Sequence, residues 1–180
     1  MKKFDCIFLD RDGTLNPDPG YINNISDYNF YDFTLPALKM MAKGYHRFCI
    51  VTNQSGVARG LIPINNLNTI NKFIRKKFSE NSISLLDIYM CFDHPDNASI
   101  NRKPGVGMFL KAKREHNLKL SKCLMVGDSI SDMEAGKNLG METMLVLTGE
   151  GQKTLKNFRH KKSISYFATN IYEGFKHLCQ

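Results

Sequence analysis

Two carboxylates stand one residue apart in Asp10-Arg11-Asp12-Gly13-Thr14-Leu15-Asn16, directly behind the apolar run Phe4-Asp5-Cys6-Ile7-Phe8-Leu9. A strand that delivers such a pair at its carboxyl end, with a glycine to turn the chain, suits a hard cation and an anionic substrate. Three further segments place polar groups behind apolar runs or ahead of a helix. Thr52-Asn53-Gln54-Ser55-Gly56 follows Phe48–Val51, Arg102-Lys103-Pro104 precedes a helical pattern, and Gly127-Asp128-Ser129-Ile130-Ser131-Asp132 follows Cys123–Val126.

These residue types fit phosphoryl transfer, where the negative charge of a phosphate ester must be neutralised before a nucleophile can approach. Asp10 and Asp128 offer oxygen ligands to Mg²⁺. Lys103 offers a positive charge, and Thr52 with the backbone N–H groups after it offers hydrogen bonds to the non-bridging oxygens. A carboxylate nucleophile leads to an aspartyl-phosphate. Asp12 is placed to protonate the leaving oxygen and then to deprotonate water.

The elements that must position these groups alternate. Strands are predicted at residues 4–9, 47–51, 85–91, 122–126 and 142–147, with a short sixth at 163–167. Between them, Leu35, Leu38, Met41 and Ala42 recur at helical spacing, as do Leu67, Ile70, Ile74 and Phe78. Pro104 suits the first turn of a third helix. Ser131-x-x-Glu134 reads as the capping box of a fourth, and residues 171–178 form the last. Alternation of this kind implies an α/β fold, a three-layer Rossmann-like sandwich with a mostly parallel sheet. All strand carboxyl ends then face one side, and the four polar segments converge there. Residues 10–33, rich in Gly, Pro, Asn and Asp, are expected to form a small flap over the site. No large cap domain fits, and the 180 residues are expected to make one domain.

Composition narrows the classes. The hydrophobic fraction of 42% is that of a soluble globular chain. Five cysteines without framework spacing read as free thiols in a reducing compartment. No secretory leader or membrane-length apolar run is present, so the expectation is a cytoplasmic enzyme with no membrane partner, taken as a monomer. The net charge of +8 admits nucleic acid as a partner. The basic runs Arg75-Lys76-Lys77 and Arg159-His160-Lys161-Lys162 carry few aromatics, however, which argues against it.

The ordered set DRDGT, TNQSG, RKP and GDSISD resembles that of the haloacid-dehalogenase (HAD) superfamily of aspartate-dependent phosphatases. The resemblance implies Mg²⁺, Asp10 as nucleophile and Asp12 as general acid and base. It implies metal ligation by Asp10, by the Asp12 carbonyl and by Asp128, with Ser129 and Asp132 supporting that shell. Thr52 and Lys103 would stabilise the transferring phosphoryl group. With Gly20-Tyr21, Val57-Ala58-Arg59-Gly60, His94-Pro95, Gly107-Met108 and Thr148-Gly149-Glu150-Gly151, the chain is similar to the D-glycero-D-manno-heptose 1,7-bisphosphate 7-phosphatase and histidinol-phosphate phosphatase group. By that similarity Asp18, Gly20, Tyr21, Thr52, Asn53, Gln54, Ser55, Arg102 and Lys103 would line a phosphorylated sugar. A guanidinium at Arg102 suits a second phosphate.

Many members of that group carry a zinc loop, a Cys-x-His followed by a Cys-x-Cys. Here Asp93 stands where the histidine would sit and residues 95–101 hold no cysteine. A structural zinc needs four good ligands, so no zinc is expected, with Asp96, Asn97 and hydrogen bonds ordering a shorter loop. The expected activity is thus hydrolysis of a small sugar phosphate. Histidinol-phosphate phosphatase, or an enzyme acting on nucleic-acid 3′ ends, are the alternatives.

Overall fold

The computed structural model describes residues 2–180. Six strands, β1 (Ile7–Leu9), β2 (Arg47–Asn53), β3 (Ser84–Cys91), β4 (Leu124–Gly127), β5 (Glu142–Val146) and β6 (Tyr166–Ala168), form one sheet in the order β3-β2-β1-β4-β5-β6. Every adjacent pair is parallel. Six helices connect and cover them: α1 (Thr34–Ala42), α2 (Ile64–Glu80), α3 (Gly107–His116), α4 (Ile130–Asn138), α5 (Gly151–Asn157) and α6 (Ile171–Cys179).

The period of two along each strand sorts side chains into two layers. Ile7, Leu9, Phe48, Ile50, Leu124 and Val126 face α1, α2 and α6, meeting Leu38, Met41, Ile70, Ile74 and Phe175. Their neighbours Cys6, Phe8, Cys49, Val51, Cys123 and Met125 face α3 and α4, meeting Phe109, Ala112 and Ala135. The five cysteines are free, and four of them are buried. Among the described residues no helix is long and apolar enough to cross a membrane.

Strand order reverses at β1. The chain steps outward from β1 through β2 to β3, then returns to place β4 on the other side of β1. The crevice between the carboxyl ends of β1 and β4 is therefore the switch point where open α/β sheets bind ligands.

Several boundaries differ from the sequence expectation. β1 begins at Ile7 rather than residue 4, since Phe4 packs into the core without joining the ladder. β6 lies at Tyr166–Ala168, starting three residues and ending one residue later than expected. Pro104 precedes the third helix, which opens at Gly107. The capping box of α4 is Ser129 with Asp132, not Ser131 with Glu134: the Ser129 hydroxyl accepts from the Asp132 N–H, and the Asp132 carboxylate accepts from the Ser129 N–H at 3.1 Å. Helix α5 was not anticipated; it is a short helix with few buried residues. The expected flap is a packed wall. Tyr28 and Ile22 reach the core, the Thr34 hydroxyl donates to Leu15 O at 2.7 Å, and the Tyr31 N–H donates to the same carbonyl at 3.0 Å.

Candidate active site

Asp10 leaves the end of β1 with its N–H bonded to Val126 O at 2.9 Å, so the first acidic residue is fixed by the β1–β4 ladder. Gly13 then turns the chain with φ +82°, and a Cβ there would collide with Asp128 Oδ2. The glycine thus serves two needs at once, a left-handed backbone and room for the neighbouring carboxylate. Asp128 follows β4 directly. Its Oδ2 accepts the Glu150 N–H at 2.7 Å, which ties it to the turn that starts α5.

Lys103 arrives from the loop before α3 and is buried with its ammonium among acceptors. Nζ lies 2.6 Å from Asp10 Oδ1, 2.7 Å from Asp132 Oδ1 and 2.8 Å from Val51 O. The loop is held by a reciprocal pair with the end of β2: the Lys103 N–H donates to Asn53 Oδ1 at 3.0 Å and Asn53 Nδ2 donates to Lys103 O at 3.1 Å. Asp132 divides its oxygens between this ammonium and the Ser129 cap, so it supports the centre from the first turn of α4.

Asp10, Asp128 and Asp132 bring carboxylate oxygens within 4.8 Å of one another, all buried. Burial, countered in part by Lys103, pushes the Asp10 carboxyl up to about 7, with Asp132 and Asp12 adding to the rise. Burial, then the charges of Asp10 and Asp132, push Asp128 up to about 8. Burial alone would lower the Lys103 ammonium, but Asp10 and Asp132 outweigh it and hold it above its usual value. Three carboxylates around one ammonium leave a local excess of negative charge in a weakly solvated place. A divalent cation with oxygen ligands would balance it. Asp10 and Asp128 retain oxygens for such an ion, and the donor set is that of Mg²⁺ rather than of a thiophilic metal.

Asp12 sits apart from this cluster in its own cage of donors. Arg11, 1% exposed, grips it through Nε to Oδ1 at 2.9 Å and Nη2 to Oδ2 at 2.7 Å. Asn16 Nδ2 adds a bond to Oδ1 at 2.9 Å and Gln54 Nε2 one to Oδ2 at 2.7 Å. Burial would raise the Asp12 carboxyl, but the Arg11 guanidinium and these bonds hold it below its usual range.

The groups open into one cleft of about 390 Å³. It is lined by Asp10, Asp12, Asp18, Gly20, Tyr21, Thr52, Asn53, Gln54, Ser55, Lys103, Asp128 and Ser129, which the sequence had singled out. Gly56, Ser131 and Glu150 also line it; they fall inside the quoted motifs but were not named as site residues. The Thr148–Gly151 turn was the available signal for Glu150. Arg11 and Asn16 were missed as functional groups, because an arginine between two acids reads as a surface residue until its burial is known. Two expected residues lie outside the lining: Asp132, which sits behind Lys103, and Arg102, whose Nη1 donates to Asp93 O at 3.0 Å.

The loop after β3 is ordered through the expected Asp96 and Asn97, joined by Asp93 and His94. Asp93 Oδ2 accepts the Ser99 N–H at 2.8 Å and His94 Nδ1 accepts the Asp96 N–H at 3.3 Å, ahead of a short 3₁₀ turn at Pro95–Asn97. Asn97 contributes its backbone N–H to His94 O at 3.1 Å.

Comparison with known proteins follows the same lines. A family model for HAD-hydrolase-like proteins (Hydrolase_like) matches residues 100–173. The chain is 36% identical over 154 residues to the D-glycero-beta-D-manno-heptose-1,7-bisphosphate 7-phosphatase of Yersinia pestis, covering 81% of each chain. It is 37% identical over 163 residues to the D-glycero-alpha-D-manno-heptose-1,7-bisphosphate 7-phosphatase of Campylobacter jejuni, covering 90% of this chain and 92% of that one. Among solved structures, the D,D-heptose 1,7-bisphosphate phosphatase of B. bronchiseptica, crystallised with magnesium and phosphate, superposes with a TM-score of 0.89 at 29% identity over 99% of this chain and 98% of that one.

Proposed function

The chain belongs to the HAD-like heptose-bisphosphate phosphatases, and on that premise we propose that it is a Mg²⁺-dependent phosphatase removing the 7-phosphate of D-glycero-D-manno-heptose 1,7-bisphosphate. The observation that carries this reading is the meeting of Asp10, Lys103 and Asp128 beneath one cleft at the β1–β4 switch point.

In this reading Mg²⁺, held by Asp10, Asp128 and the Asp12 carbonyl, neutralises phosphoryl oxygens that would otherwise repel a carboxylate. An Asp10 oxygen attacks phosphorus, the bond to the sugar oxygen breaks, and that oxygen takes a proton from Asp12, which enters the step protonated although the Arg11 pair favours its ionised form. Asp12 then accepts a proton from water. The hydroxide attacks the phosphorus and releases inorganic phosphate, restoring Asp10. Lys103 and Thr52 hold the equatorial oxygens through both steps. Asp18, Gly20, Tyr21, Asn53 and Ser55 line the cleft where the sugar would lie. Arg102 takes the distal phosphate with the guanidinium nitrogens that Asp93 leaves free. The loop at residues 91–101 works without zinc in this reading; stoichiometric zinc by elemental analysis would overturn that part.

A second reading has one observation in its favour. Asp18 and Glu150 put carboxylates on the cleft wall beside Tyr21, which would suit a cationic amine such as histidinol phosphate. A phosphate-release screen decides, using both anomers of the heptose bisphosphate, histidinol phosphate and a 3′-phosphorylated oligonucleotide, with and without Mg²⁺. The heptose bisphosphate should give the highest kcat/KM and no turnover without metal. Asp10→Asn should abolish turnover while the melting profile survives. Retained activity in that variant would rule out the aspartyl-phosphate.

A further inference from the structure

Gln54 lines the cleft but does not offer it an amide proton. The residue is buried, and its Nε2 lies 2.7 Å from Asp12 Oδ2 and 2.9 Å from Thr52 Oγ1. A side-chain amide nitrogen carries two protons, and both are spent here on the protein. Its backbone is pinned as well, because the Gln54 N–H donates to Cys91 O at 2.7 Å at the end of β3. The side chain therefore links two groups that come from different strands.

The link has a direction. A threonine hydroxyl has one proton and two lone pairs. By accepting from Gln54, Thr52 Oγ1 commits a lone pair to the protein side, and its own proton is left to point at an acceptor in the cleft. The same nitrogen donates to the Asp12 oxygen that Arg11 Nη2 also holds. Arg11 and Asn16 fix Asp12 relative to its own turn. Gln54 is the contact that fixes it relative to β2, the strand that carries Thr52.

We infer that Gln54 is a positioning residue, setting with one nitrogen both the aim of the Thr52 hydroxyl and the placement of the Asp12 carboxylate, rather than a contact to the sugar. This rests on the reading of Asp12 as acid and base and of Thr52 as a phosphoryl ligand, and it goes beyond both.

The test replaces Gln54 in the full chain and compares two substrates. General acid catalysis is worth about 10²- to 10⁴-fold, and losing the positioning of the acid should remove a part of it. Gln54→Leu should lower kcat on the heptose bisphosphate by about 10- to 100-fold with KM within about twofold. The loss should be smaller on p-nitrophenyl phosphate, whose leaving group departs without a proton. A lesion of the fold alone would lower both substrates equally, and a sugar contact would raise KM with kcat kept; either result overturns the inference. Gln54→Met keeps the length without the N–H donors or a new charge and should behave likewise, so a folding failure of the leucine variant does not end the test. Combining Gln54→Leu with Thr52→Val should cost less than the two single losses multiplied, because both break one link; strictly multiplicative losses overturn it. Asp12→Asn separates the two levels. Retained turnover there overturns the acid–base reading and this inference with it. Lost turnover there, beside an unchanged kcat in both Gln54 variants, overturns this inference alone.

Discussion

At the scale of single residues, the site is organised by which carboxylates are compensated and which are not. Asp12 has a full set of donors, whereas Asp10 and Asp128 are pushed up to about 7 and about 8 mainly by burial. The sign for stability follows directly. Without metal, the folded protein keeps protons on Asp10 and Asp128 that the unfolded chain has released above about pH 4. That stabilisation is complete at low pH and is lost as pH rises through about 7 to 8. Mg²⁺ replaces the protons, so the gain in Tm on adding it should be larger at pH 8 than at pH 5. Equal gains in a thermal-shift titration at the two pH values would contradict this account. Arg102 gives the second residue-scale test. Arg102→Ala should lower kcat/KM for the bisphosphate at least tenfold more than for the same sugar carrying only the 7-phosphate, as expected for losing one charged hydrogen-bond donor of about 1.5–3 kcal/mol. Equal losses would remove its role with the distal phosphate. The acidic and basic groups of the cleft were legible because each follows an apolar run, and a parallel sheet brings all such ends together whatever the side-chain detail. The Arg11–Asp12 grip was not legible, since adjacent residues of opposite charge usually face solvent and only burial reveals the bidentate pair.

At the scale of elements, two helices are capped by side chains, and only one of them carries site residues. Ser129 caps α4 and shares Asp132 with Lys103. Asn170 caps α6, its side chain accepting the Glu173 N–H at 3.0 Å. Each substitution to alanine should cost about 1 kcal/mol of stability. Ser129→Ala should also lower kcat, because freeing Asp132 loosens the ammonium beside Asp10; Asn170→Ala should leave kcat unchanged. Chemical denaturation alongside kinetics checks both, and equal kinetics in the two variants would detach the α4 cap from catalysis. The central strands and α1, α2 and α6 were readable from apolar period and length. The α4 cap was misplaced by two residues because Ser129 and Ser131 both stand three residues before an acidic side chain, and only backbone geometry distinguishes them. Helix α5 lacked a signal, since it opens at a glycine and buries little.

At the scale of the whole molecule, the excess of positive charge does not surround the cleft. Lys137, Lys156, Arg159, Lys161 and Lys162 border a depression at the ends of α4 and α5. Both helices start at the catalytic edge of the sheet and run away from it, and nine residues of α4 span about 13 Å. At physiological salt the screening length is about 8 Å, so these charges act weakly on a substrate at Asp10. Changing Arg159, Lys161 and Lys162 together to glutamine should leave kcat/KM for the bisphosphate within about twofold at 0.15 M salt. A larger fall, measured across an ionic-strength series, would give that surface a part in substrate capture. Net charge, read from composition alone, therefore gave no guide to where the anion binds.

The segment between Asp12 and α1 is anchored through Leu15, Tyr28 and Thr34 and lines the cleft with Asp18, Gly20 and Tyr21, leaving it open to the surface. Water thus reaches the buried Asp10 only through the mouth that admits the sugar. Once the alcohol departs, bulk water is the acceptor already present, with no sealed chamber to hold back a competitor. The architecture commits the phosphoryl group to the medium rather than to a second hydroxyl, favouring a hydrolase over a mutase.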